Sequence, residues 1–211
     1  MAQEKLFLVT HIDQGTHHLQ TSRLILRNWK QNDIEPFAIL NSDPRVCEFL
    51  PNVLSQEETL TSVIKIQSHF KKHAFGLFAV ELISTKTFIG FVGLKYLSFD
   101  SHFTPSVELA WRLSWENWGQ GLATEAAQKV TQYGFETLGL PEILAITAKN
   151  NQRSRRVMEK LGMFTNEDEN FLHPQLEYNH PLLEHVLYLS LIHISEPTRL
   201  RRISYAVFCL K

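Results

Sequence analysis

The stretch NWGQGLATEA, Asn117 to Ala126, decides how the rest of the chain is read. Gly119 and Gly121 flank Gln120, and strong helix formers follow at once from Ala123. Glycine loses more conformational entropy than any other residue when it is fixed in a regular element, so a pair at a helix start needs a reason. Two readings fit. One is a tight turn that requires positive φ. The other is a phosphate cradle: a helix N-terminus offers unpaired N–H groups and the positive end of the helix dipole. A glycine-rich turn there lets phosphate oxygens reach the main chain with no Cβ in the way. The spacing is neither G-x-G-x-x-G nor a P-loop, since no third glycine and no Gly-Lys-Ser/Thr follows.

Regular elements lie on both sides of this stretch. Upstream, SVELAWRL (Ser106 to Leu113) alternates as a strand does, with Val107, Leu109, Trp111 and Leu113 on one face and Glu108, Ala110 and Arg112 on the other. GLFAVEL, TFIGFVGL and, further back, RLILRNW (Arg23 to Trp29) also read as strands. QNDIEPFAILN reads as a helix and SDPRVCEF as a turn into a short element. Ser55 caps a longer helix, SQEETLTSVIKIQSHFKKH, with Glu58 completing a capping box and Leu60, Ile64 and Ile66 toward one face. Downstream, Ala123 to Leu138 reads as a helix closed by Gly139 and Pro141. EILAITA (Glu142 to Ala148) is then a strand, SRRVMEKLG a short helix ending at Gly162, and HVLY a final strand. Strands followed by a strand–helix–strand unit predict one α/β or α+β domain.

The chain has 211 residues, enough for one substantial core and short for two. Its 44% hydrophobic and 20% charged residues fit an ordinary soluble globular protein. Apolar runs such as FIGFVGL are too short to cross a bilayer, so no membrane partner is expected. The N-terminus shows no signal-peptide pattern, and the cytoplasm is the expected location. Cys47 and Cys209 alone support neither a disulfide framework nor a cysteine metal site. From Leu189 onward, LSLIHISEPTRLRRISYAVFCLK resembles the translation of a transposase-type sequencing adapter. That tail holds four basic residues and only Glu196 as an acid, so the body before it is acidic and no nucleic-acid partner is expected. The expected organisation is an N-terminal extension over 1–20, one domain over 21–188, and a non-native tail over 189–211.

The WGQGLATEA stretch resembles motif A of the GNAT family of N-acetyltransferases, Gln/Arg-x-x-Gly-x-Gly/Ala, with Trp118 at the Gln/Arg position. That substitution is common in the branch containing the ribosomal-protein N-terminal acetyltransferases. NQRSRRVMEKLGM is similar to the family's second motif, with Gly162-Met163 in place of Gly-Phe. TSRLILRNW, LNSDPRV, HFTPSVELAWRL and HPLLEHVLY match the same branch. The resemblance covers about Thr21 to Tyr188. It implies a mixed sheet of six to seven strands with about four helices, in which a bulged fourth strand and the parallel fifth strand splay apart around pantetheine. It also implies acetyl transfer from acetyl-CoA, as co-substrate, to a primary amine. The main chain at Leu113 would contact pantetheine. The N–H groups of Gly119, Gln120, Gly121, Leu122 and Ala123, with the Thr124 hydroxyl, would hold the pyrophosphate. Asn151 would reach pantetheine or the reacting centre.

An ammonium must lose a proton before it can attack a thioester. Glu108, on the polar face of its strand, is the expected base, set against a role as a solvated or ion-paired residue with Arg112; Glu81 is the alternative. The family's usual proton donor, a tyrosine seven residues after the motif asparagine, is replaced here by Met158. Ser154 matches a serine proposed for that role in the ribosomal-protein branch, set against a role as a helix-start serine. His173, His180 and His185 show no metal-ligand spacing, and no metal is expected. Two other functions fit the residues: a degenerate acyl-CoA sensor, which Met158 favours, and a structural domain in which the glycines only turn the chain. The acceptor would be a peptide N-terminus or a small-molecule amine, and the protein a monomer or homodimer.

Overall fold

Alternating apolar residues build a single sheet in this computed structural model, which describes residues 18–191. Most of the expected N-terminal extension, and the tail beyond Leu191, lie outside the described residues. The strands are β1 (His18–Gln20), β2 (Leu24–Arg27), β3 (Leu77–Leu82), β4 (Phe88–Tyr96), β5 (Val107–Leu113), β6 (Glu142–Ala148), β7 (Phe164–Thr165), β8 (Phe171–Leu172) and β9 (Glu184–Leu191). Their order across the sheet is β1-β2-β3-β4-β5-β6-β9-β7, with β8 also on β9. Every pairing is antiparallel except β5 with β6. The six longer strands are those read from the sequence. β1, β7 and β8, of two or three residues, carry too little pattern to be read.

Four α-helices are described: α1 (Ile34–Ser42), α2 (Gln56–His73), α3 (Leu122–Glu136) and α4 (Gln152–Lys160). The Ser55–Glu58 capping box forms as read, with the Glu58 N–H donating to Ser55 Oγ at 3.2 Å and the Ser55 N–H to Glu58 Oε2 at 2.8 Å. The buried stripe of α2 differs from the reading. Thr59, Val63, Ile66 and Phe70 are buried at spacings of four, three and four, while Leu60 and Ile64 flank them and are only partly covered.

The two faces of the sheet are covered by different helices. Phe37 of α1 packs against Phe91 of β4, ring centroids 5.9 Å apart, on the face that also carries Arg112. On the opposite face α3 lies so close that a Cβ on Gly134 would meet Ile143 and Leu94. Tyr133 of α3 packs on Phe78 there, and Phe70 of α2 meets the same ring.

The splay expected of the fourth and fifth strands appears between β5 and β6, one number higher because β1 precedes them. A single bridge, Glu108 with Leu144, joins these two seven-residue strands. The expected bulge in β5 is not found on its β4 side. That register runs unbroken from Gly90–Leu113 to Tyr96–Val107, and the one register shift nearby lies between β3 and β4 at Val80/Glu81. The strands part because their C-terminal halves make no ladder with each other.

Candidate active site

The V between β5 and β6 opens into a cleft of about 900 Å³. At its upper end β5 runs through a short 3₁₀ turn, Trp115–Asn117, into the glycine loop and α3. Gly119 and Gly121 have φ of +73° and +77°, so the turn itself requires glycine, as the first reading held. The second reading also has support. Gly121 is the N-cap of α3, and the first bond into the helix runs from the Glu125 N–H to the Gly121 carbonyl. Among the described residues, none of the six consecutive N–H groups of Gly119 to Thr124 meets an acceptor. A run of unpaired donors at the positive end of a fifteen-residue helix favours an anion there.

Neighbouring elements brace this loop from behind. The Trp118 indole N–H donates to the Leu113 carbonyl at 2.8 Å, pinning the loop to the end of β5. Arg23 donates to the Gln120 carbonyl at 3.0 Å and pairs with Glu125 at 2.6 Å. Thr21, Ser22 and the Arg23 N–H converge on the same Glu125 carboxylate. Burial opposes ionisation of Glu125, but these donors outweigh it and hold its pKa below the usual carboxylate value. Gln120 is the one expected contact that does not line the cleft: its side chain donates to the Glu116 carbonyl and its own carbonyl is taken by Arg23.

Glu108, Ala110 and Arg112 project from one face of β5 and line the cleft. Glu108 is 7% exposed. Lys95, its register partner on β4, brings Nζ to 3.0 Å from Glu108 Oε2, within ion-pairing range but off the direction of a hydrogen bond, so among the described residues that oxygen has no hydrogen-bond donor. Arg112 does not pair with Glu108. It donates to Asn41 Oδ1 at 2.6 Å and lies over the Phe91 ring. Glu81 lies away from the cleft, with its Oε2 held by Arg27 at 2.8 Å and Lys30 at 3.6 Å. Burial would raise its pKa, but those cations keep it lowered.

Asn151 caps α4. Its Oδ1 accepts the Ser154 N–H at 3.1 Å, and its Nδ2 donates to Thr147 Oγ1 at 2.9 Å and Ser154 Oγ at 3.1 Å. The asparagine, and not Ser154, is therefore the helix cap. Among the described residues the Ser154 hydroxyl accepts a bond and donates none, and it lines the cleft. Met158 is 1% exposed, in the small core cluster with Ala145 and Tyr188. Arg153, Arg156 and Lys160 also line the cleft, at spacings that share one face of α4. Arg153 pairs with Glu48 and lies between the Phe49 and Trp118 rings, 5.4 and 4.9 Å from their centroids.

Sequence reading passed over two cleft residues, His173 and His185. Their rings lie 4.8 Å apart beside Glu108. Burial lowers the pKa of both, that of His185 to about 4 with the added charge of His173, so the pair is neutral near pH 7. Distance along the chain hid them: His173 reaches the cleft in the loop after β8, and His185 on β9, whose pattern gave no sign of it. Among the described residues no group of three or more His, Cys, Asp or Glu side chains is arranged to hold a metal.

The donor set suits coenzyme A. The unpaired N–H run matches a pyrophosphate, the open edge of β5 matches the amide-bearing pantetheine arm, and the basic face of α4 offers charge for phosphate. Comparison with known proteins identifies the family and the fold. The family model for the acetyltransferase (GNAT) domain matches residues 23–164. The chain is 30% identical over 146 residues to YoaA, an uncharacterized N-acetyltransferase of Bacillus subtilis, covering 68% of this chain and 81% of that protein. Among solved structures, a GNAT-family acetyltransferase from Bacillus anthracis superposes with a TM-score of 0.69 at 26% identity, covering 83% of this chain and 99% of the other. Spermidine N-acetyltransferase from Vibrio cholerae, in complex with CoA and spermine, gives 0.64 at 20% identity, covering 81% and 96%.

Proposed function

Since the chain belongs to the GNAT acetyltransferase family, we propose that it moves an acetyl group from acetyl-CoA to a primary amine by direct attack within a ternary complex. The observation that carries this is the run of six unpaired N–H groups from Gly119 to Thr124, at the mouth of the V between β5 and β6. Acetyl-CoA supplies an activated thioester. The protein's residues do the rest. The N–H groups and the Thr124 hydroxyl fix the pyrophosphate, and the open edge of β5 down to Leu113 aligns the pantetheine arm. Glu108 takes the proton from the acceptor ammonium, and its low exposure limits competition from water. Nitrogen–carbon bond formation then accompanies carbon–sulfur cleavage, and the acylated nitrogen releases its remaining excess proton to solvent. The Ser154 hydroxyl, which donates to no acceptor among the described residues, protonates the departing sulfur and recovers its proton from solvent.

Glu81 is left out of this scheme because its carboxylate is committed to Arg27 and lies off the cleft. The expected cytoplasmic location is kept as part of the proposal; among the described residues no helix is long and apolar enough to cross a membrane. A second reading, a sensor that binds acetyl-CoA without turnover, is favoured by Met158, which is core and offers no proton. Thiol release from acetyl-CoA, followed over a panel of primary amines, separates the two. Acetyl-CoA binding with no thiol released for any amine supports the sensor, and amine-dependent release supports the transferase.

A further inference from the structure

The ionic inventory of the cleft is lopsided. Glu108 is its one lining carboxylate among the described residues, against Lys65, Lys95, Arg112, Arg153, Arg156 and Lys160. Arg153 is paired with Glu48 and lies over the Trp118 ring beside the glycine loop, and Lys95 is paired with Glu108. Arg112 is different. It stands on the sheet face where Glu108 supplies the proposed base, and it lies deep in the molecule while keeping solvent contact through the cleft. Among the described residues its one hydrogen-bond acceptor is the neutral side chain of Asn41, itself fully buried and committed through Nδ2 to Thr59. No carboxylate neutralises it among the described residues. A guanidinium carries five N–H donors in a planar fork shaped for carboxylate, and a charge left unpaired at depth is costly. Burial lowers the Arg112 pKa, as expected of a cation without an anionic partner.

Ala110 lies between Glu108 and Arg112 on this face, each about 7 Å away along the strand. The small side chain leaves room between an anion and a cation. We infer that the acceptor is an amine that also carries a carboxylate, and that Arg112 receives the carboxylate while Glu108 faces the amine. Glu108→carboxylate repulsion and the surrounding cations then orient the acceptor one way round. The same charges disfavour a polyamine, which brings only positive charge to a cleft lined by six cations. This rests on the acetyltransferase reading above and adds the substrate class.

The test is steady-state thiol release from acetyl-CoA with matched acceptors: an α-amino acid and its α-amide, a peptide with an acidic N-terminal residue and the same peptide with that side chain amidated, and spermidine. In one of the two pairs the carboxylate member should exceed its amide by about ten- to a hundredfold in kcat/KM, as expected of a charge-assisted hydrogen bond. Which pair shows it tells a free amino acid from a peptide N-terminus. Spermidine should fall below both carboxylates. Arg112→Gln should erase the ratio by raising KM for the carboxylate acceptor, with acetyl-CoA affinity held, and Arg112→Lys should keep part of it. If removing the guanidinium unfolds the protein, the wild-type ratio decides alone. Equal use of amides, or better use of spermidine, overturns the inference and leaves the transferase standing. Thiol release with no amine at all overturns both.

Discussion

Glu108 carries the most specific chemical claim at the scale of single residues. The residue is 7% exposed and lines the cleft, and among the described residues one of its carboxylate oxygens has no hydrogen-bond donor. Glu108→Gln keeps the shape and removes the base, so turnover should fall about 10²–10⁴-fold, the usual contribution of a general base, while acetyl-CoA affinity is retained. A loss under about threefold at every pH contradicts the assignment. Ser154→Ala should cost less, since water can protonate a thiolate, and it should leave α4 intact because Asn151 holds the cap. These roles were only partly legible in the sequence. Period-two alternation put Glu108 and Arg112 on one strand face, which was right, but it could not show that Lys95 and Asn41, and not each other, would be their partners. Those contacts depend on the β4 register and on where α1 ends, and neither is encoded locally.

Strong local signals fixed the longer elements. The Ser55–Glu58 box set the start of α2, and Gly139 and Gly162, both at positive φ, follow the ends of α3 and α4. The short strands β1, β7 and β8 form only because β2 and β9 offer them an edge, and a two-residue strand has no period to detect. β9 also bears on the C-terminal tail. Leu189, Ser190 and Leu191 pair with Leu144, Ile143 and Glu142, although the resemblance to an adapter translation starts at Leu189. A ladder is made by backbone, so an alternating Leu-Ser-Leu extends the strand whatever its origin. We propose that residues after Leu191 add nothing to the fold. Deleting 192–211 should shift the melting temperature by no more than about 2 °C, whereas a cut before Leu189, which also removes the pairing with Phe164, should lower it further. Loss of folded protein on the shorter deletion contradicts this.

At the scale of the whole molecule, the fold was legible because six matching stretches stood in the order the sheet requires, while the interior of the cleft was not, since it draws on both ends of the described chain. Acid stability follows from that assembly. His185 has a folded pKa of about 4 because burial, with the charge of His173, resists its protonation, against about 6.5 when unfolded. The unfolded chain therefore binds the proton first. Stability from this group is intact above pH 6.5 and falls as pH drops toward 4, by at most about 1.4 kcal/mol per pH unit and less where solvent screens the ring. In urea melts, His185→Gln should flatten the decline between pH 6.5 and 4; an unchanged slope contradicts it. Whether the glycine loop holds the pyrophosphate of acetyl-CoA is read from the gain in thermal stability on adding that ligand to wild type and to Gly121 variants. At a hundred times its dissociation constant, wild type should gain about 2.7 kcal/mol. Gly121→Ala and Gly121→Val place a side chain at φ +77°, a conformation that costs about 1–2 kcal/mol, in space that only Arg23 borders. Both should lose that stability without ligand, and because relaxing the turn would misalign the N–H run, both should gain less from acetyl-CoA than wild type. A folded variant that acetyl-CoA stabilises as fully as wild type would contradict the cradle.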